Sequence, residues 1–346
     1  MDSTSLPTLL PSGPGAFSLP AGAPAADLPR RRGRLLPAVL FGLSLLTAAA
    51  FIGLNGYAAW LLAHPPIAAV GSNPMLARGL DYADVSFPSG DGRTTVDGWW
   101  IPAASPIRTV VLSHGYGANR EELWVPMYDI AAMLHQMGYN VLMFDYGYAS
   151  PEHRTPATGG RIEAEQLIGA LRFARERGTE KLIVWGFSMG AGTALQAALR
   201  LPPGAIDGMI LDSTFLPTED TLFRNIQRYA PVPKALTLSL IRLFLPLWSG
   251  TQLDRIPAEQ AETTPYPFPI LLIHGASDDK APVAIAEKVA AAQRNPGSKL
   301  WIVPDGVHEM LFRTHPDEYR AVTGAFLERI GRAPDAGRPG DGARPA

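Results

Sequence analysis

Gly186-Phe187-Ser188-Met189-Gly190 places a serine between two glycines, after the apolar run 182–185 and before the alanine-rich segment 191–199. A strand, a sharp turn and a helix in that order is the setting that holds a serine hydroxyl exposed as a nucleophile. Glycines suit the flanks because the serine backbone is strained there and both flanking positions pass close to neighbouring chain. Five residues alone read equally as a structural glycine turn; the strand before them and the helix after them favour the nucleophile.

A serine hydroxyl is a weak nucleophile at neutral pH and needs a base in hydrogen-bond reach, with a third group fixing that base's tautomer. With a nucleophile on such a turn, the chain order is serine, acid, histidine. After the run 270–274 comes Gly275-Ala276-Ser277-Asp278-Asp279-Lys280-Ala281-Pro282, and after 300–303 comes Pro304-Asp305-Gly306-Val307-His308. Of the seven histidines, His308 alone follows the last predicted strand on a glycine-containing loop; His315 ranks behind it, and His64, His135 and His153 read as surface or satisfied polar residues. The acid is Asp278 or, one residue out of register, Asp279, with Asp212 at the end of the preceding strand as a further position.

These residues need a sheet to hold them. From about residue 81, short apolar or β-branched runs alternate with amphipathic segments, the pattern of βα units building a parallel sheet. Strands are predicted over 96–101, 109–113, 141–145, 182–186, 209–212, 270–274 and 300–303, and helices over 121–136, 161–177, 191–199, 283–293 and 318–330. The stretch 213–269 is too long for a bare loop and carries the apolar run 235–248, so a lid of helices is expected there.

The 346 residues, 47% hydrophobic and 18% charged, supply ample apolar material for one such domain. A net charge of -2 gives no pull toward nucleic acid, and the absence of cysteine excludes thiol nucleophiles, disulfides and thiolate metal sites. No His-Glu-x-x-His pattern and no phosphate-binding glycine loop is present, so neither metal nor cofactor is expected.

The domain has appendages. Residues 1–34 read as a disordered tail with a basic end, Arg30, Arg31, Arg32 and Arg34. The uncharged stretch 35–63 that follows is 29 residues long and reaches about 44 Å as a helix, against about 30 Å of hydrocarbon. It reads as a single-pass anchor, and because no further arginine follows until Arg78 the catalytic domain, 81–330, is expected outside the cytoplasm. The competing reading is a secreted protein released by signal cleavage after Ala48-Ala49-Ala50. Residues 331–346 read as a second disordered tail, and the oligomeric state is open.

Leu112-Ser113-His114-Gly115-Tyr116-Gly117, the 186–190 turn, His274-Gly275-x-x-Asp278 and Pro304–His308 resemble, in order, the oxyanion, nucleophile, acid and histidine loops of the α/β-hydrolase superfamily. The resemblance covers about 84–330 and is greatest to the serine aminopeptidase-like branch, which includes hydrolases with one N-terminal anchor; the opening 92–102 resembles the strand pair that begins those domains. It implies an α/β fold with a mostly parallel sheet flanked by helices and a helical lid. It also implies Ser188 as nucleophile, His308 as base, Asp278 as acid, backbone amides of Tyr116 and Met189 as the oxyanion hole, and structural roles for His114, His274 and Asp145.

The expected chemistry is hydrolysis of a carboxylic ester or related acyl bond through an acyl-enzyme, on a small or lipid-like substrate. A peptidase of the same branch, an acyltransferase or haloperoxidase using the same nucleophile, and a non-catalytic binding protein on this fold remain alternatives. The lid residues Leu236, Leu238, Leu240, Ile241, Leu243, Phe244, Leu245 and Leu247 are expected to offer surface to an acyl chain.

Overall fold

The computed structural model describes residues 32–104 and 107–332. The tails expected over 1–34 and 331–346 lie outside the described residues except at their inner ends, where Arg32–Arg34 are already helical and Gly331 and Arg332 still are.

In chain order the elements are α1 (Arg32–Ala63), α2 (Pro74–Arg78), β1 (Ala83–Pro88), β2 (Thr95–Ile101), β3 (Arg108–Ser113), α3 (Met127–Gln136), β4 (Asn140–Phe144), α4 (Arg161–Glu176), β5 (Lys181–Phe187), α5 (Met189–Ala198) and β6 (Gly208–Asp212). Then come α6 (Glu219–Gln227), α7 (Lys234–Ser249), a 3-10 turn (Leu253–Arg255), α8 (Ala258–Thr263), β7 (Ile270–Gly275), α9 (Val283–Ala292), β8 (Lys299–Val303), α10 (Leu311–Thr314) and α11 (Pro316–Arg332).

The eight strands form one sheet in the order β1-β2-β4-β3-β5-β6-β7-β8, antiparallel across the first two pairings and parallel across the rest. β4, β5, β6 and β7 are buried along their whole lengths, which is why they read as unbroken apolar runs rather than alternating ones. Successive residues serve opposite faces. Val111 joins the core cluster covered by α4, α5, α8 and α9, while Val110 and Leu112 join the one covered by α3, α10 and α11.

Two predicted bounds differ from the structure for local reasons. α3 begins at Met127 rather than 121, because Pro126 has no N–H for a helical bond and takes the N-cap position. β1 was not among the predicted strands; it is a half-exposed edge strand with only Phe87 buried, ending in Pro88. Within 213–269, α8 joins the core cover through Ala258 and Ala261.

The chain divides into two compact units, which meet inside α1 at Ala50 and Phe51. In the first, residues 35–50 are exposed throughout, and the stretch Leu35–Ala63 has a hydropathy of 2.3 with the length and composition of a membrane anchor or a signal sequence. In the second, the last turns of α1 bury Ala59 against Ile241 and Leu245 of α7.

Candidate active site

Ser188 caps α5 at the end of β5 with φ 48° and ψ −116°, a conformation that L-residues rarely adopt. Its amide donates to the Asp212 carbonyl (2.9 Å), and its own carbonyl accepts from Phe215 (3.0 Å) and Ala191 (3.1 Å), so the surroundings dictate the turn. The glycines beside it are required sterically. A Cβ on Gly190 would stand 2.1 Å from the Ser113 carbonyl oxygen, and one on Gly186 would stand 2.6 Å from the Ala191 Cα.

His308 reaches the serine from the loop after β8, with its Nε2 2.9 Å from Ser188 Oγ and its Nδ1 2.7 Å from Asp278 Oδ2. Asp278 sits in the loop after β7, where its other oxygen accepts from the amides of Lys280 (2.9 Å) and Ala281 (2.8 Å). Those two bonds fix the carboxylate plane and aim the free oxygen at the histidine. The two loops meet where Gly275 touches Gly306, whose carbonyl accepts from the Ser277 amide at 3.0 Å.

The other candidate acids are engaged elsewhere. Asp279 is exposed and paired with Arg228 at 2.5 Å. Asp212 accepts from Tyr319 Oη (2.7 Å) and Ser213 Oγ (2.8 Å), and burial pushes its carboxyl up to about 7. Asp145 is locked to Arg120 by its backbone amide and guanidinium. Among the histidines, His274 Nε2 lies 3.0 Å from the Ala281 carbonyl, while His114 accepts from the Tyr146 amide and contacts the Gly115 carbonyl. Burial lowers the pKa of both, so they act as neutral fixings of their loops. His315 pairs with exposed Asp305, away from Ser188.

The amides of Tyr116 and Met189 donate to no other group among the described residues. The Tyr116 phenol donates to the carbonyls of Leu61 (2.9 Å) and Leu62 (3.1 Å), tying this loop to the end of α1. A cavity of about 230 Å³ borders the same loop, lined among others by Pro66, Ala68, Gly117, Asn119, Glu122 and Trp124. A larger one of about 400 Å³, between β8 and α11, touches none of these groups.

Two carboxyl groups beside the serine were missed by sequence reasoning. A Cβ placed on Gly115 would lie 2.6 Å from Glu309 Oε1, 2.9 Å from Glu122 Oε1 and 3.4 Å from Ser188 Cβ, so both carboxyls crowd the loop after β3. Both are buried and both are pushed up by that burial, Glu122 well above the ordinary carboxylate range with the neighbouring Glu309 adding to it. Glu309 Oε2 lies 3.7 Å from His308 Nε2. Burial alone would lower the histidine's pKa, but the bond to Asp278 and the charges of Glu309 and Asp278 outweigh it and raise the value above that of a free imidazole. Glu122, Ser188, Ser213 and Glu309 are the only non-glycine residues with positive φ among the described residues. Three of them meet around His308: Ser188 bonds it, Glu309 follows it in the chain, and Ser213 Oγ accepts the Glu309 amide at 3.0 Å. The one signal in the sequence was a charge set in the apolar run that follows His308.

A hydroxyl, an imidazole and a carboxylate in hydrogen-bonded series, beside two unengaged amides, can activate an oxygen nucleophile and receive an oxyanion. Among the described residues, no three His, Asp or Glu side chains gather as metal ligands.

Residues 108–256 match the family model described as alpha/beta hydrolase fold. The chain is 28% identical over 251 residues to the uncharacterized protein YfhR of Escherichia coli, covering 70% of this chain and 79% of that protein. It is 27% identical over 223 residues to the lysophosphatidylserine lipase ABHD12 of Danio rerio, covering 60% of this chain and 54% of that one. Among solved structures it resembles an esterase of Pyrococcus furiosus with a TM-score of 0.62 at 25% identity, covering 78% of this chain and 98% of that one.

Proposed function

Because the chain belongs to the α/β-hydrolase superfamily and is a hydrolase, we propose that it cleaves a carboxylic ester through a serine acyl-enzyme. The observation that carries this is the unbroken series from Ser188 Oγ to His308 Nε2 (2.9 Å) and from His308 Nδ1 to Asp278 Oδ2 (2.7 Å). His308 takes the hydroxyl proton as Ser188 Oγ attacks the acyl carbon, and Asp278 stabilises the imidazolium that forms. The carbonyl oxygen becomes an oxyanion received by the amides of Tyr116 and Met189. Collapse expels the alkoxide, which takes the proton from His308, and leaves the acyl group on Ser188. Water, deprotonated by His308, then attacks the acyl carbon; the acid leaves and Ser188 regains its proton.

The likeness to an esterase and to a lipase supports an ester over a peptide bond. The helix over Leu35–Ala63 is read as an anchor, and the arginines before it with none after until Arg78 support a hydrolase domain outside the cytoplasm. The test uses a fluorophosphonate probe and a panel of p-nitrophenyl esters and aminoacyl amides. The unaltered protein is expected to label and turn over esters, while Ser188→Ala folds but does neither. Equal labelling of the variant removes Ser188 from its role, no labelling of either favours a binding protein, and faster cleavage of amides than of any ester favours a peptidase.

A further inference from the structure

The apolar residues of α7 divide into two faces. Leu238, Ile241 and Leu245 are buried, with Ile241 and Leu245 packed against Ala59 near the end of α1. Leu236, Leu240, Leu243 and Leu247 fall at helical spacings of four, three and four, which puts them in one stripe on the opposite side. Three of these are among the most exposed large apolar side chains of this unit, Leu236 at 52%, Leu243 at 61% and Leu247 at 70%. The charges of α7 are drawn off the stripe: Lys234 pairs with Asp220 and Arg242 with Glu219, both on α6.

The neighbouring turns of α1 set the level of this stripe. The Phe244 ring lies 3.7 Å from where a Gly56 Cβ would stand. From Gly56 to Ala63 the helix rises about 10 Å, comparable with the surplus of about 14 Å by which Leu35–Ala63 exceeds a hydrocarbon core. Tyr57 and Trp60 occupy this interval, both exposed and stacked at 5.8 Å, and such aromatic rings favour the boundary between hydrocarbon and headgroups. α7 touches α1 within this interval, through Ile241 and Leu245 against Ala59 and Phe244 beside Gly56.

We propose that the stripe Leu236, Leu240, Leu243 and Leu247 seats in the membrane interface beside the end of α1, so that the hydrolase domain lies with α7 in the lipid. This rests on the reading of α1 as an anchor. The same end of α1 accepts the Tyr116 phenol through the Leu61 and Leu62 carbonyls, which holds the oxyanion loop close to that interface. The substrate class that fits is an acyl ester residing in the bilayer, with its carbonyl at headgroup level. Of the residues expected to offer surface to an acyl chain, Leu236, Leu240, Leu243 and Leu247 are thus assigned instead to lipid, while Leu238, Ile241 and Leu245 are buried.

The chain has no cysteine, so a single introduced cysteine carries a unique label. In the full chain reconstituted in phosphatidylcholine vesicles, a polarity-sensitive fluorophore at Leu243→Cys or Leu247→Cys is expected to be quenched by nitroxide lipids. The same label at Ser239→Cys, exposed but off the stripe, is expected to be quenched by aqueous iodide. Iodide quenching at 243 and 247 while Leu46→Cys is quenched by nitroxide lipid overturns the proposal and leaves the anchor standing. Iodide quenching at position 46 as well overturns both, and protection of 243 and 247 from both quenchers shows that protein, not lipid, covers the stripe. The double variant Leu243→Gln, Leu247→Gln should keep p-nitrophenyl acetate turnover while losing about tenfold of its rate on a long-chain ester held in vesicles. An equal rate on both substrates refutes the proposed substrate class. Absence of acetate turnover in the unaltered enzyme counts against the hydrolytic reading instead.

Discussion

Replacing Glu309 by Gln removes a negative charge 3.7 Å from the His308 nitrogen that faces Ser188, without emptying the space. Two unit charges at that distance interact by about 1 kcal/mol in a water-like medium and about 4 kcal/mol at the effective dielectric of a protein interior. His308 and Glu309 are both buried, so the value lies near the upper of these figures. Glu309→Gln should therefore lower the pKa of His308. His308 acts as a base only when neutral, so activity rises as pH climbs through its pKa. In the unaltered enzyme that limb of kcat/KM should lie above the ordinary imidazole value, and in Glu309→Gln it should move to lower pH. Glu122→Gln serves as the control, because its amide still donates to Glu309 and leaves the charge in place. The assay is the pH dependence of kcat/KM on a soluble p-nitrophenyl ester, with thermal melts to show that each variant is folded. An acid limb in Glu309→Gln that stays fixed or moves upward refutes the assignment of the charge to Glu309.

Asp278→Asn should lower kcat by about four orders of magnitude, because the amide cannot stabilise the imidazolium, whereas Asp279→Asn should cost no more than about fivefold, being an exposed ion pair; the reverse order would move the acid by one residue. Burial pushes Asp212 up to about 7, so between pH 4 and pH 7 the folded chain holds a proton that the unfolded chain has released, and stability falls across that window as pH rises. Urea denaturation should show a loss of roughly 4 kcal/mol at most, and Asp212→Asn should flatten the dependence; an unchanged slope refutes this. Gly190→Ala forces a Cβ onto the Ser113 and His114 carbonyls and should destabilise the fold by about 3 kcal/mol or more, read by the same denaturation.

Much of this arrangement was legible in the chain because it depends on short-range geometry. The glycines of 186–190 are needed by a turn that spans five residues, and the buried strands announce themselves as apolar runs because both faces of a parallel sheet are covered. The length and lack of charge of 35–63 likewise follow from composition alone. Other features depend on what a residue meets across space. Asp278 and Asp279 are equivalent as text, and only the amides of Lys280 and Ala281 turn the first toward His308 while Arg228 holds the second outside. Helical periodicity could not divide the faces of α7, since its apolar residues run nearly all round; packing against Ala59 made one face core and left the other open. Glu122 and Glu309 are 187 positions apart, and each alone reads as a solvated charge. The fold carries the loop after β3 and the loop after β8 to the same glycine, and burial there pushes both carboxyls up beside the serine, an outcome that no local pattern encodes.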